Sequence, residues 1–397
     1  MFTIAFAVAF SLLYIPVGSP IWFTGEDHWT FMVYLDADNN LNDVGLIDMN
    51  EMEHADPTKT NVLVLYDGPD SGDTHLTKVK GDDDPYSINS PLLAHEEVWQ
   101  GYEANMGDPA VLANFIKWSM RNYPADNYAL VIWDHGSGIT EYQGNESRGI
   151  AQDDTDHDFL SHSELIEALK EGVGDERLEI IIFDACLMGM VELAYDLTDI
   201  ASYMVASQEV VPGDGLPYYK VLKALEEDHH MSPGTLSRKI VKEYDEYYGD
   251  AMDTTISAVD ISRMDELTLR IDELAQLMIS NIDEIKPFIK EARCQVQSYY
   301  YPYYVDLYHL CELLSEDENL GSCCSELMVE IGRSMIAERH SDSVWVEGGS
   351  VIDSHGLSIY FPASSWEYFE YYDGESGFLG FAVDHQWDEF LRVYLAC

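Results

Sequence analysis

Five short runs, 31–35, 62–66, 128–133, 178–183 and 203–206, are almost wholly apolar and rich in Val, Ile, Leu and aromatic residues. None alternates with polar residues, as a strand with one wet face would. Strands covered on both faces of a parallel sheet carry this pattern. Between them the spacing becomes helical. Asp108-Pro109 supplies an N-cap and a proline for the first helical position, with Leu112, Phe115, Ile116 and Met120 following on one face. Ser161 and Glu164 make a capping-box pair ahead of Leu165 and Leu169. Strands and helices alternating on this scale predict right-handed crossovers and an α/β fold, a mainly parallel sheet with helices on both faces.

The pattern shifts after residue 260. Leu267, Ile271, Leu274, Leu277 and Met278 form a helical stripe, Pro287 interrupts it, and helical spacing returns over 326–338. A last apolar run, 357–361, ends at Pro362 and predicts a return to the sheet. The chain thus divides into an apolar leader at 1–28, an α/β core at 29–260, a mainly helical region at 261–345, and a return to the sheet with a C-terminal tail at 346–397. The acidic run 81–84 and the stretch 141–158 read as loops.

The leader is apolar from Phe2 to Ile15, and Pro16, Gly18 and Pro20 come next. That length suits the h-region of a signal peptide better than a span of ~20 residues, although no Lys or Arg precedes it. An export signal, an uncleaved anchor and an ordered hydrophobic arm are its three readings. The first two place the protein outside the cell or at its surface, with the membrane involved only through this segment.

Charge narrows the partners. Lys and Arg number 21 against 73 Asp and Glu, a formal net charge of −52. Such a surface repels nucleic acid and anionic lipid, and suits cationic partners or a solvated acidic shell in high salt. Of six cysteines, Cys294, Cys311, Cys323, Cys324 and Cys397 lie late in the chain, where export would permit disulfides, and their odd number leaves one over. No paired CxxC motif predicts structural zinc. Cys186 stands apart from the other five.

Two segments carry candidate chemistry. Asp134-His135-Gly136 comes directly after one buried run and Asp184-Ala185-Cys186 after another. Both fall where parallel strands end, the edge at which open α/β sheets bind ligands. A lone cysteine or histidine in such a place is ordinarily structural. Together they suggest a nucleophile and its acid–base partner, needing no cofactor, with a helix beginning at Cys186 to favour the thiolate. The amides of Gly136 and Cys186 are candidates for holding an oxyanion. The histidine precedes the cysteine by 51 residues (186 − 135), the order and rough distance of caspase-type rather than papain-type peptidases.

These segments, with Val33-Tyr34-Leu35-Asp36-Ala37-Asp38-Asn39-Asn40-Leu41, Arg148-Gly149-Ile150-Ala151, Pro212-Gly213-Asp214-Gly215 and Gly356-Leu357-Ser358-Ile359-Tyr360-Phe361-Pro362, resemble the clostripain family of cysteine peptidases over about residues 29–362. The resemblance implies a caspase-like α/β/α sandwich with a helical C-terminal elaboration, and a dyad of His135 and Cys186. It implies that Asp214, aided by Asp184, selects Arg or Lys before the cut bond. It also implies a precursor that cuts itself in the loop after the histidine strand, where Arg148 is the one basic residue. Some relatives depend on calcium, for which Asp153, Asp154, Asp156 and Asp158 offer oxygens without EF-hand spacing. A peptidase of other specificity and a non-catalytic binding module on the same fold are the alternatives.

Overall fold

The computed structural model describes residues 28–396 apart from 141, 144–145, 148, 343 and 346–348. Eight strands form the central sheet: β1 (Trp29–Asp36), β2 (Asn61–Asp67), β3 (His75–Lys78), β4 (Asn127–Trp133), β5 (Leu178–Asp184), β6 (Ala201–Ala206), β7 (Thr255–Asp260) and β8 (Met335–His340). Their spatial order is β8-β7-β6-β5-β4-β1-β2-β3. The middle five, β2 to β6 in space, are mutually parallel. The outer strands β3, β7 and β8 run antiparallel to their neighbours.

The five apolar runs are the five parallel strands, and the reason is visible in their burial. Met32 and Tyr34 of β1 enter one hydrophobic core, while Phe31, Val33 and Leu35 enter the other. Helices α1 (Asn42–His54), α5 (Tyr218–Glu227) and α6 (Pro233–Tyr248) cover the second face. Helices α2 (Pro109–Asn122), α3 (His162–Val173), α4 (Val191–Asp196) and α7 (Met264–Ser280) cover the first. Three more, α8 (Ile282–Gln295), α9 (Leu307–Leu314) and α10 (Gly321–Ser334), add apolar residues to that same core. The predicted caps form: Asp108 accepts from the Ala110 amide, and Ser161 and Glu164 complete a capping box.

Several expectations need correction. The run at 357–361 does not rejoin the central sheet. Its core, Ser358–Tyr360, pairs antiparallel with Tyr304–Asp306 in a separate two-stranded ribbon. The chain returns earlier, at β8, inside the region read as helical. The helical spacing over 326–338 is likewise split between α10 and that strand. The tail ends in two helices, Gly380–Asp384 and Trp387–Ala396. Pro287 does not break the late helices. The break falls at Asn281, and Pro287 lies inside α8 as its sixth residue, where it costs one intrahelical hydrogen bond without ending the helix. The stretch 141–158 is not all loop: Tyr142–Gln143 pairs with Glu146–Ser147, and Ile150–Asp153 with Asp158–Leu160. Cys186, Cys294, Cys311, Cys323 and Cys324 are free thiols, while Cys397 lies outside the described residues.

Candidate active site

Three adjacent parallel strands, β1, β4 and β5, end together, and the segments leaving them build the site. In register Leu35 pairs with Trp133, and Trp133 with Asp184. Asp38-Asn39-Asn40, Asp134-His135-Gly136 and Ala185-Cys186 therefore leave the sheet side by side. A cavity of about 200 Å³ opens there, lined by Leu41, Trp133, His135, Asp184, Cys186 and, from one loop, Val211, Pro212, Gly213 and Gly215, among others. The two residues predicted to react thus share one cavity.

Cys186 sits in a turn, not at a helix start. Helix α4 begins only at Val191, so Cys186 does not lie in its first turn. The turn is tight enough to put Leu187 at φ +66°, a left-handed conformation costly for a branched-chain residue. The Val211 amide donates to Sγ at 3.3 Å. Burial, with Glu209, Asp184 and Asp134 adding negative charge, nevertheless pushes the thiol up to about 11. Resting Cys186 is therefore a thiol, which corrects the expectation of a helix-stabilised thiolate.

His135 is half-buried, and that burial lowers its pKa while Asp154 opposes the shift. It is neutral at pH 7. Its Nε2 lies 2.9 Å from Asn40 Oδ1. With the amide oxygen as acceptor, the proton sits on Nε2 and Nδ1 keeps its lone pair. Asn39 steadies the same strand end by donating to Asp134 Oδ1 at 2.8 Å. Gly136 packs against the cysteine backbone so closely that a Cβ there would overlap the Cys186 carbonyl oxygen. Among the described residues neither the Gly136 nor the Cys186 amide has a hydrogen-bond acceptor.

The floor is acidic. Asp184 is buried, and its Oδ2 accepts from the Leu216 amide at 3.0 Å and the Tyr218 hydroxyl at 2.9 Å. Burial raises it to about 6. Gly215, at φ +57°, folds the loop over this carboxylate, and a Cβ there would fall 2.7 Å from Oδ2. Asp214 is exposed and accepts from the Tyr247 hydroxyl at 3.3 Å, while its flanking glycines line the cavity. Asp48, which nothing in the sequence singles out, is buried beneath the site, accepts from Trp133 Nε1 at 2.7 Å, and acts electrostatically on Asp184. Asn40 belongs to a family-like motif, but the motif assigns it no role. Neither residue carries a local signal, because each acts across elements far apart in the chain.

Arg148 lies outside the described residues. Of the four aspartates read as calcium ligands, Asp154 and Asp156 are exposed, Asp158 is half-buried, and only Asp153 turns inward. Among the described residues, the groups close enough to share a metal are His28, His229 and His230, and, separately, Asp38, Asp67 and Glu103.

An α/β/α sandwich with this sheet, opening at its C-terminal edge on a cysteine and a histidine, is the architecture of caspase-like cysteine peptidases. The chain belongs to the clostripain family, whose sequence model matches residues 33–394. Clostripain from Hathewaya histolytica is 28% identical over 410 residues, covering 86% of this chain and 76% of that protein. A secreted C11 cysteine protease from Bacteroides thetaiotaomicron, solved with an irreversible peptide inhibitor, shares the fold with a TM-score of 0.69 at 23% identity, over 91% of this chain and 99% of that one. An inactive zymogen C11 protease from Parabacteroides distasonis shares it with a TM-score of 0.65 at 21% identity, over 85% and 92%.

Proposed function

We propose that this cysteine peptidase cuts after Arg or Lys, with Cys186 as nucleophile and His135 as acid and base. One observation carries the specificity: the cavity that holds Cys186 and His135 is lined by the buried Asp184, and among the described residues no Lys or Arg lines it. Asp48, Glu51 and Asp214 deepen the negative potential. A cationic side chain entering it would ionise Asp184 and offset its desolvation.

The protonation states set the order of events. As Sγ attacks the substrate carbonyl carbon, His135 takes the thiol proton through its free nitrogen. The carbonyl oxygen gains the electron pair, which the Gly136 and Cys186 amides, without another acceptor among the described residues, would hold. The imidazolium then gives its proton to the departing amine as the C–N bond breaks. Water, deprotonated by His135, hydrolyses the thioester and restores the thiol.

The reading includes export through the apolar leader, which lies outside the described residues, and maturation by cleavage after Arg148. The secreted and zymogen relatives support both. Reporter peptides differing only in Arg, Lys, Asn or Asp before the cut test the specificity. Expected is turnover after Arg and Lys alone, its loss in Cys186→Ala, and a full-length chain in that variant. Turnover after Asn or Asp would establish the other-specificity alternative, and unchanged activity in Cys186→Ala would remove the nucleophile.

A further inference from the structure

The imidazoles of His28, His229 and His230 meet at the end of the sheet opposite Cys186. His28 immediately precedes β1, and the other two lie in the connection between α5 and α6. One ring nitrogen from each lies within 4.8 Å of the others. The ring centroids stand 3.9 Å apart for His28 and His230, 4.4 Å for His229 and His230, and 5.5 Å for His28 and His229.

The group is braced from behind. The His28 carbonyl accepts from the Asn127 amide and from its side chain, both at 3.0 Å, and His28 Nδ1 lies 2.7 Å from Asp126 Oδ2. With the carboxylate as acceptor, the proton sits on Nδ1 and Nε2 keeps its lone pair. A carboxylate behind an imidazole is how proteins fix the tautomer and orientation of a metal-ligating histidine. The next residue, Trp29, is fully buried, and its Nε1 donates to the Met231 carbonyl at 3.1 Å, which ties the start of β1 to the residue after His230. His229 Nδ1 is buried with no hydrogen-bond partner. Burial, with His230, Lys59 and His28 adding to it and Glu226 opposing, lowers the pKa of His229, so the ring is neutral at pH 7 and open to a metal.

We propose that His28, His229 and His230 bind a transition-metal ion of the zinc class, with water as the fourth ligand, clipping the chain that enters β1 to the connection between α5 and α6. Three neutral imidazoles suit zinc, nickel or copper and offer no oxygen to a hard ion such as calcium. Zinc–nitrogen bonds of about 2.0–2.1 Å set tetrahedral ligands about 3.4 Å apart, a spacing these nitrogens reach by small side-chain rotations. The length of β1, roughly 25 Å, separates the ion from Cys186, so it acts on how the strand is anchored and not on the reacting groups.

The test uses the full chain carrying Cys186→Ala, stripped with a chelator and titrated with ZnCl₂ at constant ionic strength. Expected is a saturable rise in melting temperature of ~3–5 °C at zinc a hundredfold above its midpoint, with no comparable rise from CaCl₂ at the same concentrations. CoCl₂ in place of zinc should give visible d–d absorption without the ultraviolet sulfur-to-cobalt charge transfer of a thiolate site. His230→Ala, at an exposed position, should abolish the rise while melting within about 1 °C of its parent without metal. Asp126→Asn leaves all three ligands in place and should weaken the midpoint ~10-fold or more. An equal rise in parent and His230→Ala, or a cobalt spectrum carrying sulfur-to-metal charge transfer, would assign the ion to the acidic surface or to the remaining thiols. No rise in the parent would leave the imidazoles without an ion. Each of these outcomes overturns the proposal.

Discussion

With Asn40 Oδ1 as its acceptor, His135 holds its proton on Nε2 and keeps Nδ1 bare. The proposed dyad would work only from this tautomer, because the resting sulfur is a thiol, held up at about 11, that would have to hand its proton over as it attacks. Asn40→Ala leaves the imidazole in place but frees its rotation and tautomer. The expected result is kcat lower by roughly 10–100-fold with KM little changed. Asn40 is exposed, so the melting temperature should hold within about 1 °C. A loss of activity matched by a loss of stability would mean that Asn40 is structural and does not position the base. Asp184 sets a second residue-scale expectation. It must ionise to receive a cation, so kcat/KM for an Arg reporter should rise with pH through about 6. In Asp184→Asn the preference for Arg over uncharged citrulline should fall by roughly 10²-fold. A preference that survives there would transfer the role to Asp214 or Asp48.

At the scale of elements, sequence pattern and structure agree where local physics decides. The parallel strands announced themselves because both faces are buried, and α2 and α3 because their first turns carry cap residues in sequence. Ser161 gives that agreement a magnitude. Its hydroxyl and Glu164 satisfy amides at the start of α3 reciprocally, so Ser161→Ala should lower stability by about 1 kcal/mol in denaturant titration. Turnover should be untouched, since α3 does not line the cavity. An unchanged midpoint would show the box to be redundant. Elements fixed by tertiary context were not legible. β8 reads as a helix because Met335–His340 continues the amphipathic run of α10, and only pairing with β7 makes it a strand. The run 357–361 is apolar at four of five positions, yet its core pairs with Tyr304–Asp306 rather than with the central sheet. His135, Cys186 and Asp184 were readable because each lies at or just beyond the end of a buried strand. Asn40 and Asp48 matter only through partners 95 and 85 residues away, a distance at which periodicity says nothing.

Over the whole molecule, a net charge of −52 opposes folding by self-repulsion that no single ion pair offsets. Salt screens it: the Debye length shortens from about 10 Å at 0.1 M to about 3 Å at 1 M. The melting temperature of the Cys186→Ala chain should therefore climb as NaCl is raised over that range, and a flat or falling curve would show the acidic shell to be already neutralised. pH should act in the same direction for a separate reason, which Glu192 isolates. Its side chain is fully buried behind the cysteine turn, accepting from the Tyr360 amide at 2.8 Å and the Tyr372 hydroxyl at 2.9 Å, with Oε2 unpartnered. Burial raises it from 4.5 to about 7. The folded chain then holds this proton more tightly than the unfolded chain does. The stability it contributes is complete below about pH 4.5 and is lost as pH rises through about 7, a difference on the order of 3 kcal/mol. Glu192→Gln keeps the shape and both acceptor contacts without the titration. In 1 M NaCl, where surface repulsion is screened, the parent should melt lower at pH 8 than at pH 5.5, and the variant should lose Glu192's share of that difference, the rest belonging to other acids raised by burial, Asp67, Asp134, Asp153 and Asp184 among them. Equal slopes in parent and variant would show that Glu192 has no part in the pH dependence.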